Sequence, residues 1–156
     1  MSFKPDLPDM KFSLKSFIES LVLSLTYFSV NLLLPGNLPR SDNNLIMVYT
    51  HIAHDCNVGN NIVLANNVQV GGHVIIEDNA IIGGSCAVHQ FSRIGELSMV
   101  GGMTGVLSDV IPYGLSIGNR NYLTGINLVG LRRRNISNKE ILTLSEAYKE
   151  IFKSEN

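Results

Sequence analysis

The chain has 156 residues, enough for one domain of ordinary size. Lys and Arg number 12 against 13 Asp and Glu, and this balance gives no general electrostatic reason to bind nucleic acid or anionic membranes. Only 16% of the residues are charged and the mean hydropathy is +0.17, which excludes disorder for most of the length. Cys56 and Cys86 make no disulfide framework, so we expect buried thiols in a reducing compartment.

Residues 1–44 contain no repeat and form an atypical N-terminal segment. Apolar residues between Phe17 and Phe28 predict a helix before Pro35. The uncharged apolar run from Leu21 to Leu34 is shorter than the roughly 20 residues of a spanning helix, so no stable membrane insertion is expected. The segment also lacks the cleavage pattern of a signal peptide, which favours a cytoplasmic protein.

A six-residue repeat runs from Ile46 to Ile111. The first position of every block is Ile, Val or Leu, and the fifth is small or β-branched. Glycine fills the second position in five blocks: Gly59, Gly71, Gly83, Gly95 and Gly101. This period is typical of short strands joined by tight turns, with the first and fifth positions facing inward. Residues 45–118 are therefore predicted to form a β-solenoid.

The repeat resembles that of hexapeptide-repeat proteins, which implies a left-handed parallel β-helix with three blocks in each triangular coil. Successive blocks then fall on three faces, named a, b and c from the blocks that begin at residues 46, 52 and 58. The histidines of the chain fall on face b or at the corner leading into it: His51, His54, His73 and His89. None of them occupies an inward position.

Face b therefore carries the candidate chemistry. Coils stack about 4.8 Å apart, so His54, Gly72 and Gln90 are expected in one outward row. The adjacent row holds Asp55, His73 and Phe91. A single histidine on a solenoid is usually a plain surface residue, but four on one stripe favour a catalytic base or a metal site.

Face a carries a stripe with few side chains, because Asn66, Gly84 and Gly102 follow one another one coil apart. Such a stripe makes a shallow groove for an extended apolar ligand or a close neighbour, although turn geometry alone would also account for the glycines. A threefold assembly that sets face b of one subunit near face a of the next would join the histidines to this groove. Face c is expected to be simply solvated.

The C-terminal region, residues 119–156, is predicted to be helical. Ser137 and Glu140 form a capping box, and apolar residues follow at helical spacing, which predicts a helix over 138–153. A shorter helix is expected over 125–134, and both helices would cap the open end of the solenoid. The run Arg132 to Arg134 is interpreted as a solvated helix face.

Several motifs together resemble one family of acyltransferases. They are His51-Ile-Ala-His54-Asp55-Cys56, Leu64-Ala-Asn-Asn67, Gly71-Gly-His73, Ala87-Val-His-Gln-Phe91, Gly118-Asn119 and Gly125-Ile-Asn127 with the arginines up to Arg134. Over about residues 43–153 the sequence resembles the acyl-carrier-protein-dependent UDP-N-acetylglucosamine O-acyltransferases that begin lipid A synthesis.

The resemblance implies transfer of an (R)-3-hydroxyacyl chain from acyl carrier protein to the 3-hydroxyl of UDP-N-acetylglucosamine, by a homotrimer that needs no cofactor and no metal. It implies that His54 is the general base, that Asp55 polarises it, and that the backbone N–H of Gly72 donates to the thioester oxyanion. Gly102 matches the position that limits acyl length, so a longer chain is expected than a bulky residue would allow. The matched substrate-binding positions are His51, His73, His89, Gln90, Asn127 and Arg133.

Two departures from the family pattern stand out. Val129 occupies a position where the family commonly has a glutamate near the nucleotide. The family also has further coils upstream, to which residues 1–44 bear no resemblance, and its helical domain continues further, so the C-terminal region is expected to be truncated.

Three other interpretations stay open. A trimeric zinc lyase resembling γ-carbonic anhydrase shares this solenoid and would use the histidines as Zn²⁺ ligands. An N-acyltransferase acting later in the same pathway has a similar solenoid with a different histidine context. A non-catalytic remnant of the O-acyltransferase would keep the motifs without turnover.

Overall fold

A computed structural model describes residues 42–152 of the chain. These residues form a parallel β-solenoid of about four turns, followed by two short helices. The predicted β-helix and its short helical C-terminal region are thereby confirmed. The helix predicted before Pro35 lies outside the described residues. Within residues 42–152, no helix is long and apolar enough to cross a membrane.

Short strands alternate with turns along the whole repeat. The strands are β1 (Leu45–Ile46), β2 (His51–Ile52), β3 (Asn57–Val58), β4 (Val63–Leu64), β5 (Gln69–Val70), β6 (Ile75–Ile76), β7 (Ile81–Ile82), β8 (Ala87–Val88), β9 (Arg93–Ile94), β10 (Met99–Val100), β11 (Gly105–Val106), β12 (Gly114–Ile117) and β13 (Tyr122–Ile126). The helices are α1 (Leu128–Arg133) and α2 (Asn138–Phe152).

Each face of the prism is one sheet. Face a is β1-β4-β7-β10-β12-β13, face b is β2-β5-β8-β11, and face c is β3-β6-β9. Each strand of the repeat pairs in parallel with the strand three blocks later, as when Leu45 pairs with Val63. The last coil is two residues shorter, because Met99 pairs with Leu115.

The interior of the prism is filled by the first and fifth positions of the repeat. Val70, Val74 and Ile76 are representative, and each is almost fully buried. Cys56 and Cys86 occupy fifth positions as free, buried thiols, and burial raises the pKa of both. At the first coil Ile46 and Ile52 are partly buried and pack against the same core. The inward pattern predicted from the sequence is therefore the pattern of the core.

The expected helix over 125–134 is corrected by the structure. Residues 122–126 form β13, which pairs antiparallel with β12 and closes the upper edge of face a. Tyr122, Leu123 and Thr124 favour extended backbone. The helix begins only after Asn127, whose Oδ1 accepts a hydrogen bond from the N–H of Gly130 at 3.0 Å. A strand that the sequence did not predict therefore covers this edge of face a, ahead of the two helices.

Helix α1 lies against the corner between faces c and a. The amide of Asn127 donates to the carbonyl of Leu97 at 2.9 Å, and the guanidinium of Arg134 donates to the side chain of Asn79. Both acceptors belong to turns that connect face c to face a. The arginine run is exposed, in agreement with a solvated helix face, and Arg134 in addition contacts the turn at Asn79.

Helix α2 begins where the capping box places it. The N–H of Glu140 donates to Ser137 Oγ at 3.3 Å, and the N–H of Ser137 donates to Glu140 Oε2 at 3.1 Å. These two hydrogen bonds satisfy donors that the first turn leaves open. The predicted helix over 138–153 corresponds to α2.

Candidate active site

The histidine stripe lies at a corner of the prism. His54 and Asp55 follow β2, Gly72 and His73 follow β5, and each pair forms the turn between faces b and c. The fourth residue of each six-residue block lies in this turn and has left-handed backbone, with φ of 57° at Asp55 and 59° at His73. The turn points these side chains outward at the edge of face b rather than from its centre.

His54 and Asp55 form a hydrogen-bonded pair. Nδ1 of His54 lies 2.8 Å from Oδ2 of Asp55. The pKa of Asp55 is lowered from its ordinary value, chiefly because of this hydrogen bond and secondarily because the charge of His73 is near. The carboxylate therefore stays ionised and holds the proton of a neutral imidazole on Nδ1. This arrangement leaves Nε2 of His54 as a proton acceptor.

Gly72 leaves space for the His54 ring. A Cβ at this position would lie 2.9 Å from both Nε2 and Cε1 of His54, so any larger residue displaces the imidazole. Within residues 42–152, the N–H of Gly72 donates no hydrogen bond. An open backbone donor thus lies one coil above the Nε2 atom of the base candidate.

On another corner of the prism, the equivalent backbone N–H groups donate hydrogen bonds to side chains. Between faces c and a, Oδ1 of Asp78 accepts from the N–H of Asn60 at 2.7 Å, and Oδ1 of Asn60 accepts from the N–H of Asp42 at 2.8 Å. The sequence suggested that face c is simply solvated. In the structure, the third-position side chains Asn60 and Asp78 also cap turns. The N–H of Gly72, in contrast, donates no hydrogen bond within the described residues.

His73 brings a second imidazole to the same corner. Its N–H donates to the carbonyl of His54 at 3.0 Å, and its Nε2 lies 3.9 Å from Oδ2 of Asp55. The potential ligand atoms of His54, Asp55 and His73 all lie within 4.8 Å of one another, so this exposed trio could hold a metal ion. The corner thus offers a base, a carboxylate and either a second donor or a metal ligand.

Of the remaining histidines, His51 lies on face b, and His89 lies where the chain leaves face b for the corner with face c. His51 belongs to β2 and pairs with Gln69 of β5, whereas His89 follows β8. Nδ1 of His89 lies 3.0 Å from the carbonyl of Gln90, and both side chains are exposed. These positions border the corner without joining the cluster of His54 and its neighbours.

The glycine column lies at the corner between faces a and b, not on the flat of face a. A Cβ at Gly102 would lie 3.3 Å from the carbonyl oxygen of Gly84, which is tight but tolerable. A Cβ at Gly83 would lie only 2.5 Å from the backbone nitrogen of Gly102. Close backbone contact therefore requires glycine at 83, whereas a Cβ is tolerated at 102. The groove predicted at Gly102 stays a prediction.

The predicted nucleotide-binding positions lie on α1. Asn127 is buried, and its amide oxygen and nitrogen bind Gly130 and Leu97, so its side chain has a structural role here. Arg133 and Val129 are exposed on the helix. The proposed contacts of Asn127 and Arg133 with a nucleotide stay predictions.

The predicted residues therefore fall on three corners of one prism. His54, Asp55, Gly72 and His73 are brought together between faces b and c. Gly102 lies between faces a and b, and α1 with Arg133 lies against the corner between faces c and a. One chain by itself does not gather these groups around one substrate.

Sequence reasoning assigned no role to Phe91, although it placed the residue in the row of His73. The two rings are stacked with centroids 4.8 Å apart and planes 3° apart. The spacing of three blocks between His73 and Phe91 was the available signal, but the period fixes only the backbone positions and not the ring planes.

A three-sheet solenoid of six-residue repeats defines the chain as a hexapeptide-repeat protein. Residues 109–156 match the family model for domain 2 of UDP-N-acetylglucosamine O-acyltransferase. The acyl-[acyl-carrier-protein]–UDP-N-acetylglucosamine O-acyltransferase of Sinorhizobium fredii is 49% identical over 117 residues, 75% of this chain and 43% of the relative. The enzyme of the same name from Campylobacter concisus is 48% identical over 71% of this chain and 42% of the relative.

Solved structures give the same result. UDP-N-acetylglucosamine acyltransferase of Arabidopsis has a TM-score of 0.73 and 45% identity, covering 74% of this chain and 40% of that one. LpxA from Acinetobacter baumannii has a TM-score of 0.71 and 50% identity, covering 73% and 44%. Over about three quarters of its length the chain is similar to UDP-N-acetylglucosamine O-acyltransferases. It spans less than half the length of these relatives.

Proposed function

We propose that the chain transfers an (R)-3-hydroxyacyl group from acyl carrier protein to the 3-hydroxyl of UDP-N-acetylglucosamine, the first step of lipid A biosynthesis. The observation that carries this proposal is the His54–Asp55 hydrogen bond together with the position of Gly72. A Cβ at Gly72 would lie 2.9 Å from Nε2 of His54, and the N–H of Gly72 donates no hydrogen bond within the described residues. A base and an oxyanion donor are the two groups that acyl transfer from a thioester requires. The names of the relatives supply the substrates.

In the proposed reaction, Nε2 of His54 takes the proton of the sugar 3-hydroxyl while Asp55 holds the imidazole by Nδ1. The sugar oxygen attacks the thioester carbonyl, and the resulting oxyanion accepts the N–H of Gly72. Collapse of the tetrahedral intermediate forms the ester and breaks the carbon–sulfur bond. The imidazolium of His54 returns its proton to the thiolate of the carrier arm, and no cofactor or metal is needed in this cycle.

The active form in this proposal is a homotrimer. Parallel prisms around a threefold axis place different corners of neighbouring subunits side by side. That arrangement supplies the base from one subunit and the groove at Gly102 or the arginine of α1 from the next. Acyl carrier protein and the nucleotide sugar are its two partners, and both place the reaction in the cytoplasm.

The His54→Ala variant tests the proposal. We expect it to lose at least about 100-fold in kcat, because general base catalysis contributes roughly that factor or more, while the circular dichroism and the oligomeric mass stay unchanged. Transfer is measured with hydroxyacyl-loaded carrier protein and UDP-N-acetylglucosamine. Glu96→Ala, at the same turn position on the corner between faces c and a, is the matched control and keeps wild-type turnover. Full activity in His54→Ala contradicts the proposal.

A zinc-dependent lyase is the second candidate, favoured by the three ligand atoms of His54, Asp55 and His73 within 4.8 Å. Metal analysis of the purified chain separates the candidates. Stoichiometric zinc that is lost in His73→Ala supports the lyase. Acyl transfer that survives exhaustive chelation supports the acyltransferase.

A further inference from the structure

The ring of His73 is held between two other aromatic rings. Phe91 stacks on one face, with centroids 4.8 Å apart and an interplanar angle of 3°. The His54 ring meets His73 in a T-shaped contact at 4.9 Å and 87°. The ring plane of His73 is thereby fixed from both sides, with Nε2 directed toward Asp55 at 3.9 Å.

Phe91 has a backbone conformation that its side chain does not favour. Its φ is 67°, in the left-handed region that disfavours bulky residues. The same repeat position is filled by short polar residues in six turns, namely Asn43, Asp55, Asn61, Asn67, Asn79 and Ser85, and by larger side chains at Tyr49, Leu97 and Met103. Burial gives no compensation, because Phe91 is 67% exposed.

The contact with His73 distinguishes Phe91 from the other large side chains at this repeat position, such as Tyr49, which stacks on no ring within the described residues. The N–H of Phe91 donates to the carbonyl of Gly72 at 3.0 Å, so the backbone of this turn is fixed directly above the turn of His73. A flat ring there covers one face of the imidazole, which a short polar side chain cannot do. The exposed, strained aromatic residue lies one coil above His73, at the corner that carries the base candidate.

We propose that Phe91 is a positioning residue, which holds the His73 imidazole in the plane that directs Nε2 to the carboxylate of Asp55. Asp55 is then bound by His54 and faced by His73 at the same oxygen, Oδ2. Removal of the Phe91 ring frees His73 to rotate away from Asp55 and from the substrate. The kinetic test of this inference rests on the acyl transfer proposed above, whereas its NMR test does not.

Phe91→Asn tests the inference, because asparagine is the residue that the left-handed turn prefers. We expect the thermal unfolding temperature to be unchanged or raised, while kcat/KM falls roughly 2- to 12-fold, the factor that corresponds to the usual worth of an aromatic pair. Phe91→Tyr keeps the ring and restores wild-type kcat/KM. Tyr49→Asn is the matched control, since Tyr49 occupies the same turn position with φ of 63°, is 75% exposed and stacks on no ring within the described residues.

Histidine side-chain NMR of the full chain gives a readout independent of turnover. In Phe91→Asn, the ring protons of His73 move downfield, because the shielding face of the phenyl ring is gone, and Phe91→Tyr keeps their wild-type shifts. Unchanged His73 resonances in Phe91→Asn overturn the proposal whether or not the chain is active. Shifted resonances with unchanged kcat/KM in an active chain also overturn it, because the contact would then exist without positioning the reaction.

Discussion

At the scale of single residues, the candidate chemistry depends on a hydrogen-bonded pair and on a missing side chain. Asp55 accepts from His54, and the absence of a Cβ at Gly72 leaves room for the imidazole. Because one coil stacks on the next, His54 and Gly72 become neighbours although their turns are separated by one full coil. A substitution at His54 therefore removes the proposed base, and a larger residue at Gly72 displaces its ring.

The lowered pKa of Asp55 makes a testable prediction. In the wild-type chain the carboxyl titrates below the ordinary value of 3.8, because it accepts the hydrogen bond of His54. Its contribution to stability is therefore present at neutral pH and is lost as the pH falls through the lowered pKa. In His54→Ala the main cause is gone, so we expect the pKa of Asp55 to rise toward 3.8.

Carboxyl ¹³C NMR measures this shift. Glu140 serves as the internal control, because Ser137 lowers its pKa at the distant cap of α2 and His54→Ala leaves that contact intact. An Asp55 midpoint that is identical in both proteins contradicts the assigned hydrogen bond.

At the scale of elements, the six-residue repeat predicts the structural features that recur with its period. Inward positions, strand spacing and the stacking of His54 under Gly72 follow from the six-residue pattern, and the helix at 138–152 follows from its capping box. Strand β13 was not predicted from the sequence, because its pairing with β12 depends on a hairpin beyond the repeat. The burial of Asn127 and the stacking of Phe91 on His73 depend on contacts between turns that no local pattern specifies.

The two kinds of glycine give a prediction at this scale. Gly83→Ala forces a Cβ to 2.5 Å from backbone, so we expect destabilisation of about 1–3 kcal/mol. Gly102→Met places its side chain in the groove between faces a and b, so the variant folds normally and prefers a shorter acyl chain. Chemical denaturation and transfer assays with donors of graded length measure both effects. A stable Gly83→Ala, or an unchanged chain-length profile in Gly102→Met, contradicts the assignment.

At the scale of the whole molecule, the proposed site requires more than one subunit. The base, the groove and the helix with Arg133 lie at three different corners of one prism. Neighbouring prisms around a threefold axis bring such corners together, as a flat-sided solenoid allows. In the proposed trimer, each site therefore contains residues of more than one subunit.

Mixed trimers test this arrangement. His54→Ala and Arg133→Ala are each expected to be impaired, but equal mixing after dissociation gives about one quarter of sites with both wild-type groups, if the two come from neighbouring subunits. Regained transfer in the mixture is therefore expected. A mixture no more active than its components means that both groups serve a site within one chain.

The most direct measurement is transfer of a hydroxyacyl group from acyl carrier protein to UDP-N-acetylglucosamine by the purified 156-residue chain, in the fraction with three times the 17.1-kDa mass of one subunit. The proposed function predicts ester formation on the sugar that disappears in His54→Ala. A well-folded trimer without turnover contradicts it, and shows that the corner with His54, Asp55 and Gly72 is not by itself sufficient for acyl transfer.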